Sequence, residues 1–302
     1  MVLRPRVQKT TDATPEYRWP IGRPAAGRAT SGLRGVSGES AELVRVTASP
    51  VPRVVIPWVD EPELSVVIVA FGTGLALDRC LGSLGASITA DEIAAEVIVV
   101  DNAHPQRGHA AGNRTAIASR GVRLIQPSTN LGFGGGNNAG VAAARASTLA
   151  LINPDVIVAP GQLRALLSAA LSRPDLISAP ALIFPDGALQ EIGMRIINNG
   201  DTRPILESGS HPPDYASAAC WFLSAELFSR LEGFDPAYHP AYYEDVDFAL
   251  RAAQLGGGTQ VIDSVLVVHE HHGSTTSPPD VAKQQQVFLD RWQELVASRP
   301  GQ

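Results

Sequence analysis

Three carboxylic acids stand close together at the start of one predicted helix. Glu244, Asp245 and Asp247 open the segment "YYEDVDFALRAAQLGG" (242–257), whose apolar spacing is that of an amphipathic helix. A carboxylate held there can take the proton from a hydroxyl group that attacks an electrophile. Alternatively, the acids only favour the positive end of the helix dipole, and Asp247 pairs with Arg251 one turn later. The apolar positions mark a buried face, so three adjacent acids cannot all face solvent alike.

The carboxyl ends of three predicted strands carry further polar groups. The apolar runs "LSVVIVAF" (64–71), "EVIVVDN" (96–102) and "TLALINPD" (148–155) are typical of buried parallel strands. Open parallel sheets bind ligands beyond the carboxyl ends of their strands. Asp101 and Asp155 could instead cap the segments that follow them. Because carboxylates and amides recur at equivalent strand ends, we predict a polar ligand site at this edge.

The stretch "NLGFGGGNNAG" (130–140) holds five glycines and three asparagines. Glycine is unfavourable inside helices and strands, so we predict a loop that a ligand approaches closely, followed by a short Ala-rich helix at 138–146. The stretch also contains a G-x-G-x-x-A pattern (134–139) with Asp155 beyond it, as in dinucleotide-binding folds. That pattern belongs in a tight turn after the first strand, where this chain has "GTG". An NAD-binding oxidoreductase is therefore the alternative reading.

Composition and charge exclude several classes of protein. The chain has 302 residues, 44% hydrophobic and 18% charged, as expected for a globular protein of one large or two small domains. Its net charge of -6 argues against a protein that coats nucleic acid. Cys80 and Cys220 lie far apart in apolar runs and are predicted to be buried thiols. With no long apolar run and no signal-like N-terminus, we expect a cytoplasmic protein, and leave peripheral membrane contact open.

Strands alternate with helices up to about residue 174, which predicts a parallel sheet covered on both faces. Residues 1–60 are rich in Arg, Pro, Gly and Ser and are predicted to be a flexible arm, with one edge strand in "ELVRVTA". After residue 180 the rhythm changes, and "ALIFPDGALQEIG" (181–193) has the turn chemistry of a hairpin. Further predicted elements are strands at 122–126, 216–224 and 260–274 and helices at 160–174, 225–235 and 280–297.

Six blocks resemble, in this order, family 2 glycosyltransferases of the rhamnosyltransferase-like branch. They are "VVIVAF", "VIVVDN", "NLGFGGGNNAG", "LINPDV", "CWFLSAELFSRLEGFDPAYHPAYYEDVDFALRA" and "VVHEHHGS". The resemblance covers about residues 62 to 275. It implies a GT-A fold, an αβα sandwich with a mostly parallel, Rossmann-like sheet. Residues 61–157 would form the nucleotide-sugar half, 158–277 the mixed acceptor half and 278–302 a helical tail. The implied chemistry is inverting transfer of a sugar from a nucleotide diphosphate to a hydroxyl.

The resemblance also implies roles for individual residues. Asp245 would be the catalytic base, and Glu244 would orient the acceptor or the base. Asp155 and His269 would hold Mg²⁺ or Mn²⁺ against the diphosphate. The nucleotide-sugar residues would be Ala70, Phe71, Asp101, Asn102, Asn130, Gly132, Phe133, Gly134, Asn137, Asn138 and Asn153. The acceptor residues would be Trp221, Tyr242 and Tyr243.

Several of these roles have alternatives. His269 and His271 could be ordinary loop histidines, since histidine is common near loops. The rings of "FDPAYHPAYYED" (234–245) suit sugar platforms but could equally be core, and for Phe234, next to a helix-ending glycine, we favour the core.

Two departures from the family affect the nucleotide. Ala70-Phe71-Gly72 stands where relatives usually have Thr-Tyr-Asn, and "VVDNAHPQRG" lacks the usual Ser-Thr-Asp-Gly sequel. The resemblance implies dTDP-L-rhamnose or a UDP-sugar as the donor and a cell-surface glycan or a lipid-linked sugar as the acceptor, and we expect no nucleic acid partner. Besides the oxidoreductase, the second alternative is a non-catalytic scaffold that binds sugar nucleotides without turnover.

Overall fold

The computed structural model describes residues 54–118, 120–207, 209, 212–270 and 281–299. In chain order its elements are β1 (Leu64–Ala70), α1 (Gly74–Ala90), β2 (Ala95–Asp101), α2 (Arg107–Ile117), β3 (Arg123–Ile125), α3 (Gly132–Ala142), β4 (Thr148–Ile152), β5 (Val156–Ile157), α4 (Gln162–Ser172), β6 (Leu176–Ile183), β7 (Leu189–Glu191), β8 (Met194–Ile196), β9 (Thr202–Pro204), β10 (Cys220–Ser224), α5 (Ala225–Arg230), a 3₁₀ helix (Pro236–Tyr238), α6 (Glu244–Gln254), β11 (Gly258–His269) and α7 (Val281–Ala297).

A nine-stranded sheet organises these elements. Its strand order is β3-β2-β1-β4-β10-β6-β11-β5, with β7 beside β6. The strands β3, β2, β1 and β4 run parallel, whereas β10 is antiparallel to both of its neighbours. β8 and β9 pair separately as a two-stranded sheet. The prediction of a parallel half followed by a mixed half is confirmed.

The parallel half brings the predicted polar strand ends together. Every residue of β1 and β2 is buried, which explains their unbroken Val and Ile runs. Their register pairs Ala70 with Asp101, and β4 lies on the other side of β1. The segments that follow Ala70, Asp101 and Ile152 therefore leave the sheet at one edge.

The glycine-rich stretch is a helix, so the prediction of a loop at 130–137 and a helix at 138–146 was wrong. α3 begins at Gly132 and lies on β1. A Cβ on Gly140 would stand 2.3 Å from Val67 Cγ1, and one on Gly136 would stand 2.7 Å from Val69 Cγ1. The absence of side chains at these positions lets the helix lie close to the strand. This packing explains why residues that are poor helix formers occupy a helix.

Two further parts of the first half differ from the prediction. Residues 54–60, assigned to the flexible arm, pack on the body, since Ile56 is buried and its N–H donates to the Arg120 carbonyl at 2.8 Å. Residues 1–53, with the "ELVRVTA" strand, lie outside the described residues. α2 was missed because its glycines interrupt the apolar pattern. Gly112 packs against Gly74, where a Cβ would stand 2.6 Å from the Gly112 carbonyl carbon.

The second half follows the prediction more closely. β6 and β7 form the predicted hairpin, with Leu182 opposite Glu191. The predicted C-terminal helix is α7, which packs against the 3₁₀ helix. Asp247 in α6 accepts hydrogen bonds from Arg291 and Trp292 of α7 at 2.8 and 3.0 Å. The tail is thus tied to the helix that carries the predicted base.

Candidate active site

The two predicted metal ligands meet although 114 positions separate them in the sequence. Asp155 lies between β4 and β5, and His269 is the last residue of β11. β5 pairs antiparallel with β11, which places Val156 opposite His269. The Nε2 atom of His269 stands 3.3 Å from Asp155 Oδ1, and both side chains are buried.

A third side chain sets which nitrogen of His269 faces Asp155. Gln190 Oε1 stands 3.0 Å from His269 Nδ1. An amide oxygen only accepts, so Nδ1 carries a proton and donates it to Gln190. Nε2 then faces the carboxylate of Asp155. An imidazole nitrogen with a carboxylate oxygen is a donor set that divalent metals accept.

Asp245 has the environment of a general base. Its Oδ2 accepts a hydrogen bond from the Ala218 N–H at 3.2 Å, and its Oδ1 accepts one from the Val246 N–H at 2.8 Å. Its side chain keeps partial exposure. Burial raises the pKa of Asp245 from 3.8 to about 6, against the opposing effect of these N–H groups. The carboxylate is therefore mostly ionised at neutral pH and more basic than an ordinary aspartate, which suits proton abstraction.

Glu244 differs from its neighbour. It is buried, and burial together with the charge of Asp245 raises its pKa well above the ordinary value. Its Oε2 has no hydrogen-bond partner in the described part of the chain. It borders a cavity of about 40 Å³ that Gly134, Gly135 and Pro240 also line, large enough for a water or a hydroxyl group. A raised pKa favours the protonated form of Glu244, which can donate a hydrogen bond, so Asp245 is the better candidate for the base.

Asp247 belongs to the structural framework. It is fully buried and accepts hydrogen bonds from Tyr238, Arg251, Arg291 and Trp292. The Arg251 Nε stands 2.7 Å from Asp247 Oδ2, which confirms the predicted pairing along α6. No face of this carboxylate is left for a substrate.

The asparagines near the glycine stretch hold the protein together. The Asn138 amide donates to the Phe234 carbonyl at 2.8 Å and accepts from the Phe234 N–H at 2.9 Å. Asn137 donates to the Phe133 carbonyl at 3.1 Å. Both side chains therefore have a structural role, and their direct contact with the sugar nucleotide stays a prediction. The amide groups of Gly132 and Gly134 belong to the start of α3, beside Pro240 and Phe234.

Asn102, just after β2, also forms hydrogen bonds that fix the local backbone. It donates to Asn130 Oδ1 at 2.8 Å and to the Gly132 carbonyl at 3.1 Å, and it accepts from the Leu131 N–H at 2.8 Å. With all three bonds made, Asn102 and Asn130 fix the turn before α3. Their contacts with the nucleotide stay a prediction.

At the edge beyond β1 and β2, the predicted residue Phe71 lies beside two further rings, His104 and His109. The ring centroids of Phe71 and His104 are 4.4 Å apart, and His104 stacks on His109 at the same distance. Burial and then the nearby His109 lower the pKa of His104, so its imidazole is neutral. Asp101 lies buried at the same edge and accepts from Asn113 at 2.8 Å and Gln126 at 3.2 Å. Flat rings beside a carboxylate can hold a nucleoside.

Two predicted acceptor residues belong to the core. Trp221 is fully buried, donates to the Ala216 carbonyl at 3.0 Å and stacks on Phe234. Tyr243 is buried against Phe288, and its hydroxyl donates to the Gly200 carbonyl at 3.1 Å. We therefore correct the acceptor role of both. Phe234 is core, as favoured, and Tyr242 keeps partial exposure beside α6.

The remaining predicted positions are unremarkable in their contacts. Ala70 is fully buried, and the Phe133 ring packs edge-on against Phe234 at 5.9 Å. The Asn153 N–H donates to the Ala219 carbonyl at 2.8 Å. His271 lies outside the described residues. A cavity of about 860 Å³ between α7 and residues 231–236 does not include any of the predicted metal or base residues.

A sequence profile of Glycosyl transferase family 2 matches residues 65–231, more than half of the chain. The chain belongs to this family. Its activity is accordingly that of a glycosyltransferase with a nucleotide-sugar donor. The oxidoreductase alternative fails, because the G-x-G-x-x-A pattern lies inside α3 and not in the turn after β1.

Relatives and solved structures agree with the family. The chain is 28% identical over 250 residues to an N-acetylglucosaminyl-diphospho-decaprenol L-rhamnosyltransferase of Mycobacterium tuberculosis, which covers 72% of this chain and 78% of that protein. Its fold is similar to GalNAc-T7 solved with UDP, GalNAc and Mn²⁺ (TM-score 0.61, 13% identity, 77% of this chain). The chain spans 48% of that structure's length. It is also similar to a mannosyltransferase of Pyrobaculum calidifontis solved with GDP-Man and Mn²⁺ (TM-score 0.54, 14% identity, 84% of this chain and 70% of that one). These likenesses confirm the GT-A fold.

None of the described helices combines the length and the apolar character that crossing a bilayer requires.

Proposed function

We propose that this glycosyltransferase transfers a sugar with inversion, using Asp245 as the base and a divalent cation held by Asp155 and His269. The observation that supports it most is the His269–Asp155 contact, with Gln190 at the far nitrogen of the ring, because it brings an imidazole and a carboxylate together as possible ligands of one cation. When bound, the cation would neutralise charge on the departing nucleotide diphosphate.

The chain's own groups account for the remaining steps. Asp245 takes the proton of the acceptor hydroxyl as its oxygen attacks the anomeric carbon, and its pKa of about 6 suits that task near neutral pH. A base that deprotonates the attacking oxygen directly requires no covalent sugar–enzyme intermediate, so one displacement inverts the configuration. Glu244, whose pKa burial raises, would form a hydrogen bond in its cavity with a water or a substrate hydroxyl.

For the cation we propose Mn²⁺ over Mg²⁺. His269 contributes a nitrogen ligand, and Mg²⁺ prefers oxygen ligands more strictly. The two structures of similar fold described above were solved with Mn²⁺.

For the donor we propose dTDP-L-rhamnose, and for the acceptor a sugar carried on a lipid diphosphate. The support is the name of the Mycobacterium tuberculosis relative, an L-rhamnosyltransferase acting on a diphospho-decaprenol. A lipid-linked acceptor would bring the protein to the cytoplasmic face of the membrane as a peripheral protein. A UDP-sugar is the alternative donor.

A panel of nucleotide sugars tests the donor. Each is added at a high multiple of its expected Kd, with and without Mn²⁺, and the melting temperature is measured. A ligand at a hundred times its Kd adds about 2.7 kcal/mol to the free energy of unfolding, which such a measurement detects. We expect the largest shift for dTDP-L-rhamnose with Mn²⁺. A larger shift with a UDP-sugar would overturn the rhamnose proposal and leave the fold assignment intact.

We predict that Tyr242→Ala weakens use of the acceptor more than binding of the donor. Tyr242 keeps partial exposure, and an aromatic face against a sugar contributes about 1 kcal/mol, so the acceptor KM should rise roughly 5-fold. The matched control is Tyr243→Phe, which removes the bond to Gly200 and should lower the Tm without changing the acceptor KM. Equal losses of donor and acceptor binding in Tyr242→Ala would indicate a packing role.

A further inference from the structure

Glu191 is a buried acid that the proposed mechanism does not use. It is the last residue of β7, a three-residue strand at the edge of β6. Its Oε1 accepts a hydrogen bond from the Ser217 N–H at 2.9 Å, and the Ser217 side chain bonds to it as well. Burying a carboxylate costs free energy unless hydrogen bonds or a paired charge compensate for the lost contact with water.

Those bonds hold the segment on which the base depends. Residues 216–218 precede β10 and are held at each position. Trp221 donates to the Ala216 carbonyl, the Ser217 N–H donates to Glu191, and the Ala218 N–H donates to Asp245. Glu191 and Asp245 therefore hold adjacent N–H groups of one short segment. If the Ser217 N–H is released, the Ala218 N–H that positions the Asp245 carboxylate is free to move with it.

We propose that Glu191 is a positioning residue for Asp245, acting through the 216–218 segment. The inference rests on the proposed function of Asp245 as the base. It predicts that removing the carboxylate oxygen that accepts from the Ser217 N–H displaces the Asp245 carboxylate. Removing only the charge of Glu191 should leave the Asp245 carboxylate in place.

The electrostatic surroundings agree with this role. Burial raises the pKa of Glu191, and the charge of Asp245 acts in the same direction, while His269 opposes it. Tyr215, whose pKa burial raises well above the ordinary value, interacts with both acids, and Glu244 interacts with Asp245. Glu191 and Asp245 thus share one buried environment.

The chain offers a matched control in the preceding residue. Gln190 forms a hydrogen bond with His269, the proposed metal ligand, whereas Glu191 accepts one from the segment beside Asp245. Gln190→Ala should weaken Mn²⁺ binding roughly 10- to 100-fold, as loss of a partner behind a metal ligand does. It should leave the amides of the 216–218 segment as protected as in the wild type.

The test compares Glu191→Ala with Glu191→Gln, which keeps an acceptor for the Ser217 N–H. The first measurement is hydrogen exchange of the peptide that contains residues 216–219, and it needs no activity. We expect faster exchange in Glu191→Ala and wild-type protection in Glu191→Gln, with both variants cooperatively folded. Wild-type protection in Glu191→Ala would overturn the proposal.

The second measurement is the pH profile of kcat. Glu191→Ala should lower kcat roughly 10- to 100-fold with the donor KM within about 2-fold of the wild type. The acid limb should move up by about 1 pH unit, because Asp245 loses the N–H that lowers its pKa. Glu191→Gln should show no upward movement. If the wild type is active and the acid limb of Glu191→Ala is unchanged, the inference about Glu191 is overturned and the proposed function stands. If the wild type is inactive with every donor, the proposed function itself is overturned.

Discussion

Asp245→Asn is expected to lower kcat by about 10²–10⁴-fold, the range that a positioned general base contributes. Asparagine keeps the shape of the side chain and can still accept from the Ala218 N–H, but it cannot take a proton at neutral pH. Donor affinity should therefore stay near the wild-type value. The measurement is kcat together with donor affinity from the thermal shift.

Two neighbouring acids are the controls for this substitution. Glu244→Gln keeps the size of the side chain and a hydrogen-bond donor at a site where burial raises the pKa of the acid, so it should retain most of the turnover. Asp247→Asn should chiefly lower the Tm. Asp247 is fully buried and accepts hydrogen bonds from four side chains, and without its charge the two arginines among them lose their ion-pair partner. If Asp245→Asn keeps its turnover and one of the two control variants loses it, the acid changed in that control is the base and the assignment to Asp245 is wrong.

The wild-type enzyme should also lose turnover as the pH falls through about 6. Burial raises the folded-state pKa of Asp245 to about that value, so below it the carboxylate is increasingly protonated and cannot accept the proton. The acid limb of the kcat profile measures this directly. A limb near pH 4, the ordinary range of aspartate, would show that the base does not have this environment.

Asp155→Ala is expected to abolish both turnover and its dependence on the divalent cation. A metal ion that neutralises a leaving diphosphate supplies several kcal/mol, so the loss should be about 10³-fold or more. Mn²⁺ binding, followed by electron paramagnetic resonance, should weaken in parallel.

Asp186→Ala is the matched control, since Asp186 is an exposed aspartate in the turn between β6 and β7 that accepts a hydrogen bond from the nearby Ala188 N–H. It should bind Mn²⁺ like the wild type. Full metal-stimulated activity in Asp155→Ala would remove this residue from the metal site.

The sequence was most informative where local chemistry and topology agree. Buried parallel strands ending on Asp101 and Asp155 predicted the edge of the sheet, because every parallel strand must deliver its carboxyl end to the same side. Within α6, the sequence also distinguished a structural acid from the candidate base. Asp247 could be assigned to Arg251 from spacing alone, since residues four apart share a helix face.

The glycine stretch shows what composition cannot reveal. A missing side chain permits close approach but does not say of what. In "NLGFGGGNNAG" the close neighbours are Val67 and Val69 of β1, and the asparagine amides bind backbone. Both facts depend on how α3 packs on the sheet, which no local pattern encodes.

The residues that the sequence analysis missed lie in short or irregular elements. Gln190 and Glu191 occupy a three-residue strand too short to show periodicity, and His104 and His109 lie around a loop and the first turn of α2. Trp221 and Tyr243 were misjudged for a related reason. Aromatic rings suit both sugar binding and core packing, and only burial distinguishes the two.

The most direct test of the central claim is release of the nucleoside diphosphate from dTDP-L-rhamnose, measured with a lipid-diphosphate-linked N-acetylglucosamine as acceptor and with Mn²⁺ added or chelated. We predict release only with Mn²⁺, in equal amount to rhamnosylated acceptor, and its loss in both Asp155→Ala and Asp245→Asn. Equal release with the metal chelated, or unimpaired transfer by either variant, would contradict the account.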